Sequence, residues 1–297
     1  MPFLASFCRN QTPGLILRGP RGTERMRRDS LALGLMVAPA IAFLVAFFLL
    51  PLVLMLRTGA SGPGGWATYL AILANDRYLA SLWKTVALAA SVTAATLVVS
   101  GVAGVFLARH RFRGRRLLTA FLTLPLAFPG VVIGFMVILL AGRQGVVGEA
   151  TLALFGERVV FAYSLAGLFV GYLYFSIPRT VLTIMAAAEK LDPSLEEAAR
   201  SLGATPLAVV RDVIMPGLKG AFIAAGAICF ATAMGAFGTA FTLATRIDVL
   251  PMVIYAEFTV GANIAVAAAL SFLLGAITWL VLAAARTAAG GTVAAAG

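Results

Sequence analysis

Few residues in this chain could do covalent chemistry. The single histidine, His110, sits in a cluster of arginines and reads as a solvated loop residue with no partner. Of the two cysteines, Cys8 lies in a polar tail and Cys229 inside an apolar run, so they offer neither a disulfide framework nor metal-ligand spacing. There is no GxxxxGK(S/T) stretch, hence no P-loop to cradle phosphates. No catalytic residue, no metal and no cofactor held by this chain is expected. The one unusual segment is a charged, turn-rich island between two apolar runs, SLEEAARSLGATPLAVVRDVIMPG, Ser194 to Gly217. Its chemistry is that of contact. Glu197 supplies a carboxylate, and Ala198 and Ala199 are small enough to let another backbone come close.

Local signals shape the island into two short helices. Asp192 can accept from free backbone N–H groups as an N-cap with Pro193 at the first helical position; alternatively Ser194 caps, with Glu197 closing a capping box. Gly203 supplies the left-handed residue that ends the first helix. Thr205-Pro206 opens the second by the same logic, and Pro216-Gly217 is expected to break it before the next span. Leu195, Ala199 and Leu202 share one face of the first helix; Leu207, Val210 and Ile214 share one face of the second. Such faces pack either on the inner ends of their own spans or in a groove of a partner.

The surroundings of the island are apolar. Of 297 residues 61% are hydrophobic and 12% charged, about half the charge of an ordinary soluble domain, which points to lipid as solvent. The net charge of +11 does not indicate nucleic acid, because the basic residues cluster at the ends of apolar runs, as membrane topology requires. Six runs reach the roughly 20 residues needed to cross a bilayer: near Leu31–Leu56, Ser81–Ala108, Leu117–Ala141, Val159–Ala187, Gly220–Ala244 and Ile264–Ala285. The chain divides into a basic tail at 1–30, a transmembrane domain at 31–286 that carries the loop 188–219, and a tail at 287–297. Met26 followed by Arg27-Arg28 would also make a start, so 1–25 is expected to be dispensable. The arginine-rich tail, the RHRFRGRR loop from Arg109 to Arg116, the island and Arg286 fall on one side, which places both termini and the island in the cytoplasm.

The island also carries a longer pattern. Glu197-Ala198-Ala199 is followed after three residues by Gly203, and after nine more by Val213-Ile214-Met215-Pro216. This resembles the EAA loop of ABC importer permeases, EAA-x3-G-x9-I-x-L-P, with Val213 in place of Ile and Met215 in place of Leu. With six spans, the chain resembles that family from about Leu31 to Arg286. The resemblance implies an all-α polytopic membrane protein of the type I ABC importer permease kind, multi-pass in the bacterial inner membrane. It implies a dimer of separate ATPase subunits, which hold ATP and Mg and grip the loop through Glu197, Ala198, Ala199, Gly203, Val213, Met215 and Pro216. It further implies a second permease, identical or similar, and an external substrate-binding protein. The chain is then a transport subunit and not an enzyme.

The pathway is less sharply marked. Gly235, Gly238, Thr232 and Thr239 in ATAMGAFGTAF, with Tyr172 and Tyr174 ahead of Pro178, are candidate lining residues; small residues of this kind are also common helix-packing contacts. Ionisable residues within the spans read as nearly absent. Asp248 and Glu257 fall in an outer connection or half-inserted segment, so the path guides more than it grips. The run GAFGTAFTLAT resembles permeases of the polyamine group, which makes spermidine or putrescine the first expected substrate, followed by 2-aminoethylphosphonate, ferric iron, thiamine or an oxyanion. An ion-coupled secondary transporter is the rival class; it would call for paired intramembrane carboxylates or a repeated half, and neither is seen.

Overall fold

A computed structural model describes residues 36–243 and 247–288. The tails assigned to 1–30 and, beyond Ala288, to 287–297 lie outside the described residues, as does Cys8. Among the described residues there is no strand, and six helical segments are long and apolar enough to cross a membrane. A first unit ends at Leu54 and a second begins at Met55. The first contains the amino-terminal part of helix α1 (Met36–Gly59), whose side chains there are almost all exposed and apolar.

The second unit holds α2 (Ala67–Ala74), α3 (Asp76–Arg109), α4 (Arg115–Thr123), α5 (Gly130–Ala141), α6 (Val146–Phe155), α7 (Leu165–Lys190) and α8 (Pro193–Ser201). Helix α9 (Pro206–Met234) follows, then α10 (Phe237–Leu243), α11 (Leu250–Thr259) and α12 (Ile264–Ala288). Long helices α3, α7 and α9 pack on one another, and α12 lies against α9 and α11. Leu88, Ala89 and Val92 of α3, Leu168 and Tyr172 of α7, and Cys229, Phe230 and Met234 of α9 share one buried cluster. Gly104 lets α3 approach α7 closely: a Cβ there would lie 3.0 Å from Ile184 Cγ2.

Three expectations about the spans are corrected. The third run does not cross as Leu117–Ala141. Helix α4 ends at Thr123, a single 3-10 turn covers Leu124–Ala127, and the backbone is extended at Phe128 and Pro129 before α5 begins. Pro129 has no N–H to continue the ladder and disfavours a helical residue before it. The apolar length needed for that crossing is found in Gly130–Phe155, bent at Gly142–Gly145. The fifth run is also interrupted, because α9 stops at Met234 and α10 starts at Phe237.

Pro216-Gly217 does not break the helix between island and span. The chain stays helical from Pro206 through Met234, with a π-helical stretch at Val210–Ile214 just ahead of the proline. Met215 N–H reaches back to Val210 O, one residue further than in an α-helix. The widened turn accommodates a residue that can neither donate nor tolerate a tight preceding carbonyl. Helix α1 uses the same device: a π-helical stretch at Val45–Leu49, with Leu50 N–H on Val45 O, precedes Pro51. The island is thus rigidly joined to the fifth span.

Candidate functional site: elbow and cleft

The island folds into the two expected helices. Asp192, rather than Ser194, caps α8: its carboxylate accepts from Ser194 N–H at 2.9 Å, and that hydrogen bond holds the carboxyl below its ordinary range. At the other end Gly203 has φ +87°, Gly203 N–H donates to Arg200 O at 2.9 Å and Ala204 N–H to Ala199 O at 3.0 Å. This pair of bonds is the Schellman arrangement, which satisfies the last carbonyls of the helix. Thr205 Oγ1 accepts from Ala208 N–H at 3.3 Å and caps α9, with Pro206 as its first residue.

Both readings of the island's apolar faces find support, on different residues. Val209, Ile214 and Leu218 are buried with Ile184 and Ala188 of α7, and Ala199 and Ala204 pack against that cluster. Leu202 and Leu207, on either side of the Gly203 turn, are 89% and 77% exposed, and Leu195, Val210 and Met215 also face outward. The elbow therefore has a seam fastened to its own spans and an apolar tip that no described residue covers. Glu197 and Ala198 are exposed on this outer side, Val213 is half-buried and Pro216 exposed. Gly217 lets α9 approach the start of the elbow, since a Cβ there would lie 2.7 Å from Leu191 Cδ1.

The carboxylate that braces the elbow is Glu196, a residue not singled out from the sequence. It is buried, pairs with Arg109 at 2.6 Å and lies 3.6 Å from Arg200. Arg109, the last residue of α3, also donates through Nη1 and Nη2 to Leu191 O, both at 3.2 Å. The guanidinium thus ties the end of the second span to the first turn of the elbow. A second pair, Arg115 with Glu189, joins α4 to the end of α7. Glu197, by contrast, has no side-chain partner among the described residues. The bracing carboxylate is therefore Glu196, and that of Glu197 faces outward, open to contact.

The expected pathway residues separate into two groups. Thr232, Gly235, Gly238 and Thr239 border one open cleft of about 330 Å³ between α5, α7, α9 and α10. Tyr172 and Tyr174 do not. Tyr172 is buried, and its hydroxyl donates to Ala236 O at 2.6 Å, satisfying a carbonyl freed at the break between α9 and α10. Tyr174 is partly exposed on another part of α7. Within the cleft, Gly238 and Thr239 serve mainly to pack α10 on α5. A Cβ on Gly238 would lie 3.0 Å from Val131 N, and Thr239 Oγ1 donates to Gly130 O at 3.0 Å.

The structure corrects the reading that the spans lack charge. Arg179 stands near the middle of α7, one residue after Pro178, and borders the same cleft. Its Nη1 donates weakly to Thr232 Oγ1 at 3.4 Å, and among the described residues no carboxylate lies within ion-pair distance. The signal was present as a lone arginine some twenty residues into an apolar run. Glu257, in the connection ahead of the last span, is engaged away from the cleft. It accepts from the Tyr78 hydroxyl at 3.0 Å and lies 3.7 Å from Arg77. Asp248 is exposed.

Comparison with known proteins places this geometry. Residues 100–288 match the family model described as binding-protein-dependent transport system inner membrane component. The sulfate transport system permease protein CysT of Escherichia coli is 33% identical over 72% of this chain and 75% of its own length. Its counterpart in Salmonella typhimurium is 37% identical over 61% of this chain, an alignment that spans 65% of that relative. A putative 2-aminoethylphosphonate transport system permease protein of Salmonella typhi is 28% identical over 85% of this chain and 91% of its own length. The molybdenum transport system permease protein ModB of Escherichia coli is 34% identical over 56% of this chain and 73% of its own length. Among solved structures, a bacterial alginate ABC transporter in complex with its pentasaccharide-bound periplasmic protein has a chain that superposes with a TM-score of 0.74. It covers 89% of this chain and 95% of that one at 16% identity, a likeness of fold.

Proposed function

The chain belongs to the binding-protein-dependent inner-membrane permeases of ABC importers, multi-pass proteins of the bacterial inner membrane, and from that premise we propose that it forms the import pathway for a small anion of the oxyanion or phosphonate type. The observation that carries the substrate class is Arg179. A guanidinium at mid-span with no counter-charge among the described residues would repel a polyamine and attract an anion. The relatives named for sulfate, 2-aminoethylphosphonate and molybdenum support the same direction, and the polyamine expectation gives way.

The motor is proposed to be a separate ATPase dimer seated on the elbow tip around Leu202, Gly203 and Leu207, with Glu197 at the joint. Closure of that dimer on ATP would drive the elbow as a rigid body. The continuous helix through Pro216 carries the motion into α9, and the Arg109–Glu196 pair carries it into α3. A second permease and an external binding protein complete the assembly. ATP hydrolysis is assigned to the partner, and the ion-coupled secondary transporter has no observation in its favour.

The test is uptake by proteoliposomes that contain the permease, its ATPase and its binding protein. Labelled sulfate, molybdate or 2-aminoethylphosphonate should accumulate only with ATP, and spermidine should neither accumulate nor compete. Accumulation of spermidine, or of any of these without nucleotide, would overturn the reading.

A further inference from the structure

We propose that Arg179, Thr232 and Ser176 form an anion-binding post on the wall of the cleft, at which a tetrahedral oxyanion or phosphonate pauses on its way through; this rests on the importer reading above. Arg179 is the centre. It stands on a membrane-crossing helix, where a bare charge is costly unless it faces a partner or water, and the described residues offer it only the Thr232 hydroxyl. That hydroxyl already donates to Ile228 O at 2.7 Å, so towards Arg179 it can only accept. Most of the guanidinium's five donors therefore have no acceptor among the described residues and are open to a bound oxyanion. A planar fork of N–H groups matches two oxygens of an oxyanion.

A second, independent observation points the same way. Ser176, one turn before Arg179, is 4% exposed, and its Oγ has no hydrogen-bond partner among the described residues. A serine inside a helix usually donates back to a carbonyl of the preceding turn, as Thr232 does. Ser176 makes no such bond and borders a recess shared with Arg179 and Thr232. The recess holds only about 20 Å³, space for a single water that would link the hydroxyl to the guanidinium. The anion itself belongs on the open side, where the cleft of about 330 Å³ begins. The amino end of α5 opens on that side too, with Gly130 and Val131 among its walls. Its partial positive charge adds to the field but does not carry the site. Because the cleft is open, binding is weak and exchange rapid, as a pathway needs.

The site can be probed without knowing the cargo. In the full complex with Cys8→Ser and Cys229→Ala, a single cysteine is placed by Thr232→Cys or, should that variant fold poorly, by Gly235→Cys. The labelling rates of an anionic sulfonatoethyl and a cationic trimethylammonioethyl methanethiosulfonate are then compared. The post predicts at least a five-fold bias towards the anionic reagent over the ratio for a free thiol, lost in Arg179→Gln and retained in Arg179→Lys. Equal rates, or a bias that survives Arg179→Gln, would overturn it. Proteoliposome uptake of sulfate, molybdate and 2-aminoethylphosphonate forms the second arm. Arg179→Gln should lower uptake of the transported anion at least ten-fold and Arg179→Lys by less; unchanged uptake in Arg179→Gln also overturns the post. A charge bias that depends on Arg179, with none of the three anions taken up by the unaltered complex, would keep the post and sink the substrate reading.

Discussion

Arg109 and Arg179 are the same residue type on two neighbouring helices, and they do opposite things. Arg109 closes α3, is largely buried, pairs with the Glu196 carboxylate and donates to Leu191 O. Arg179 stands mid-helix beside an open cleft and spends almost none. The first is a fastener, the second an unsatisfied electrostatic potential. What separates them is not charge but whether the fold supplies the partner. A buried pair fixes geometry, and its loss harms the fold; a cation within a span that finds no partner marks a candidate functional site.

The sharpest way to break this contrast is to remove the partner from one arginine and the charge from the other. Glu196→Ala leaves Arg109 buried without a counter-charge and should cost about 3 kcal/mol, seen as a marked fall in the unfolding midpoint of the detergent-solubilised protein. Pairing it with Arg109→Met, so that neither charge remains, should recover most of that loss. Arg179→Met should leave the midpoint near that of the unaltered chain. If Arg179→Met destabilises as much as Glu196→Ala, Arg179 is structural and the distinction fails.

The elbow and the cleft also differ in how their backbones turn. The elbow reverses on a left-handed glycine with open space around it, as nothing lies within 4 Å of a Cβ built on Gly203. Gly203→Val therefore strains backbone alone, by about 2 kcal/mol. Membrane insertion should persist while capture of the ATPase subunit weakens; unchanged co-purification would remove the tip from the docking surface. The cleft turns by breaking a helix and repaying one carbonyl through Tyr172. Tyr172→Phe removes that bond from a buried site and should cost about 1 to 2 kcal/mol in thermal stability. A midpoint unchanged within error would mean that water already serves Ala236 O.

The features legible in the sequence were local. Asp192-Pro193, Gly203 and Thr205-Pro206 fixed both elbow helices, because each cap is completed within a few residues. The six apolar runs were likewise visible by length. What escaped depends on distant partners. Glu196 and Glu197 are adjacent, and only Arg109 at the end of another helix decides which of them is buried. Pro216 reads as a breaker by its own chemistry, and only the π-helical stretch ahead of it shows otherwise. The interruptions at Pro129 and Gly235 were marked by residue type, but the hydroxyls that tie those segments into the bundle lie on other helices: Tyr172 on Ala236 O and Thr239 on Gly130 O. Arg179 is the exception, since a single charge inside an apolar run is a signal that needs no partner to be read.

The smallest expected effect concerns the first turn of the elbow. The Ser194 N–H that Asp192 accepts holds the Asp192 carboxyl below its ordinary value of 3.8. A depressed carboxyl contributes to the fold above its unfolded value and loses that contribution as pH falls through the folded one. The cap is therefore intact at neutral pH and fades only below about 3.8. Asp192 is fully exposed, so the change is confined to fraying of the amino end of α8 and should leave the Arg109–Glu196 fastening in place. Hydrogen exchange over residues 190–198, corrected for intrinsic rates, should rise for the native chain as the pH is taken below about 3.8. Asp192→Asn caps without titrating and should show no such rise. Identical profiles for the two would mean that Ser194, not Asp192, holds the turn.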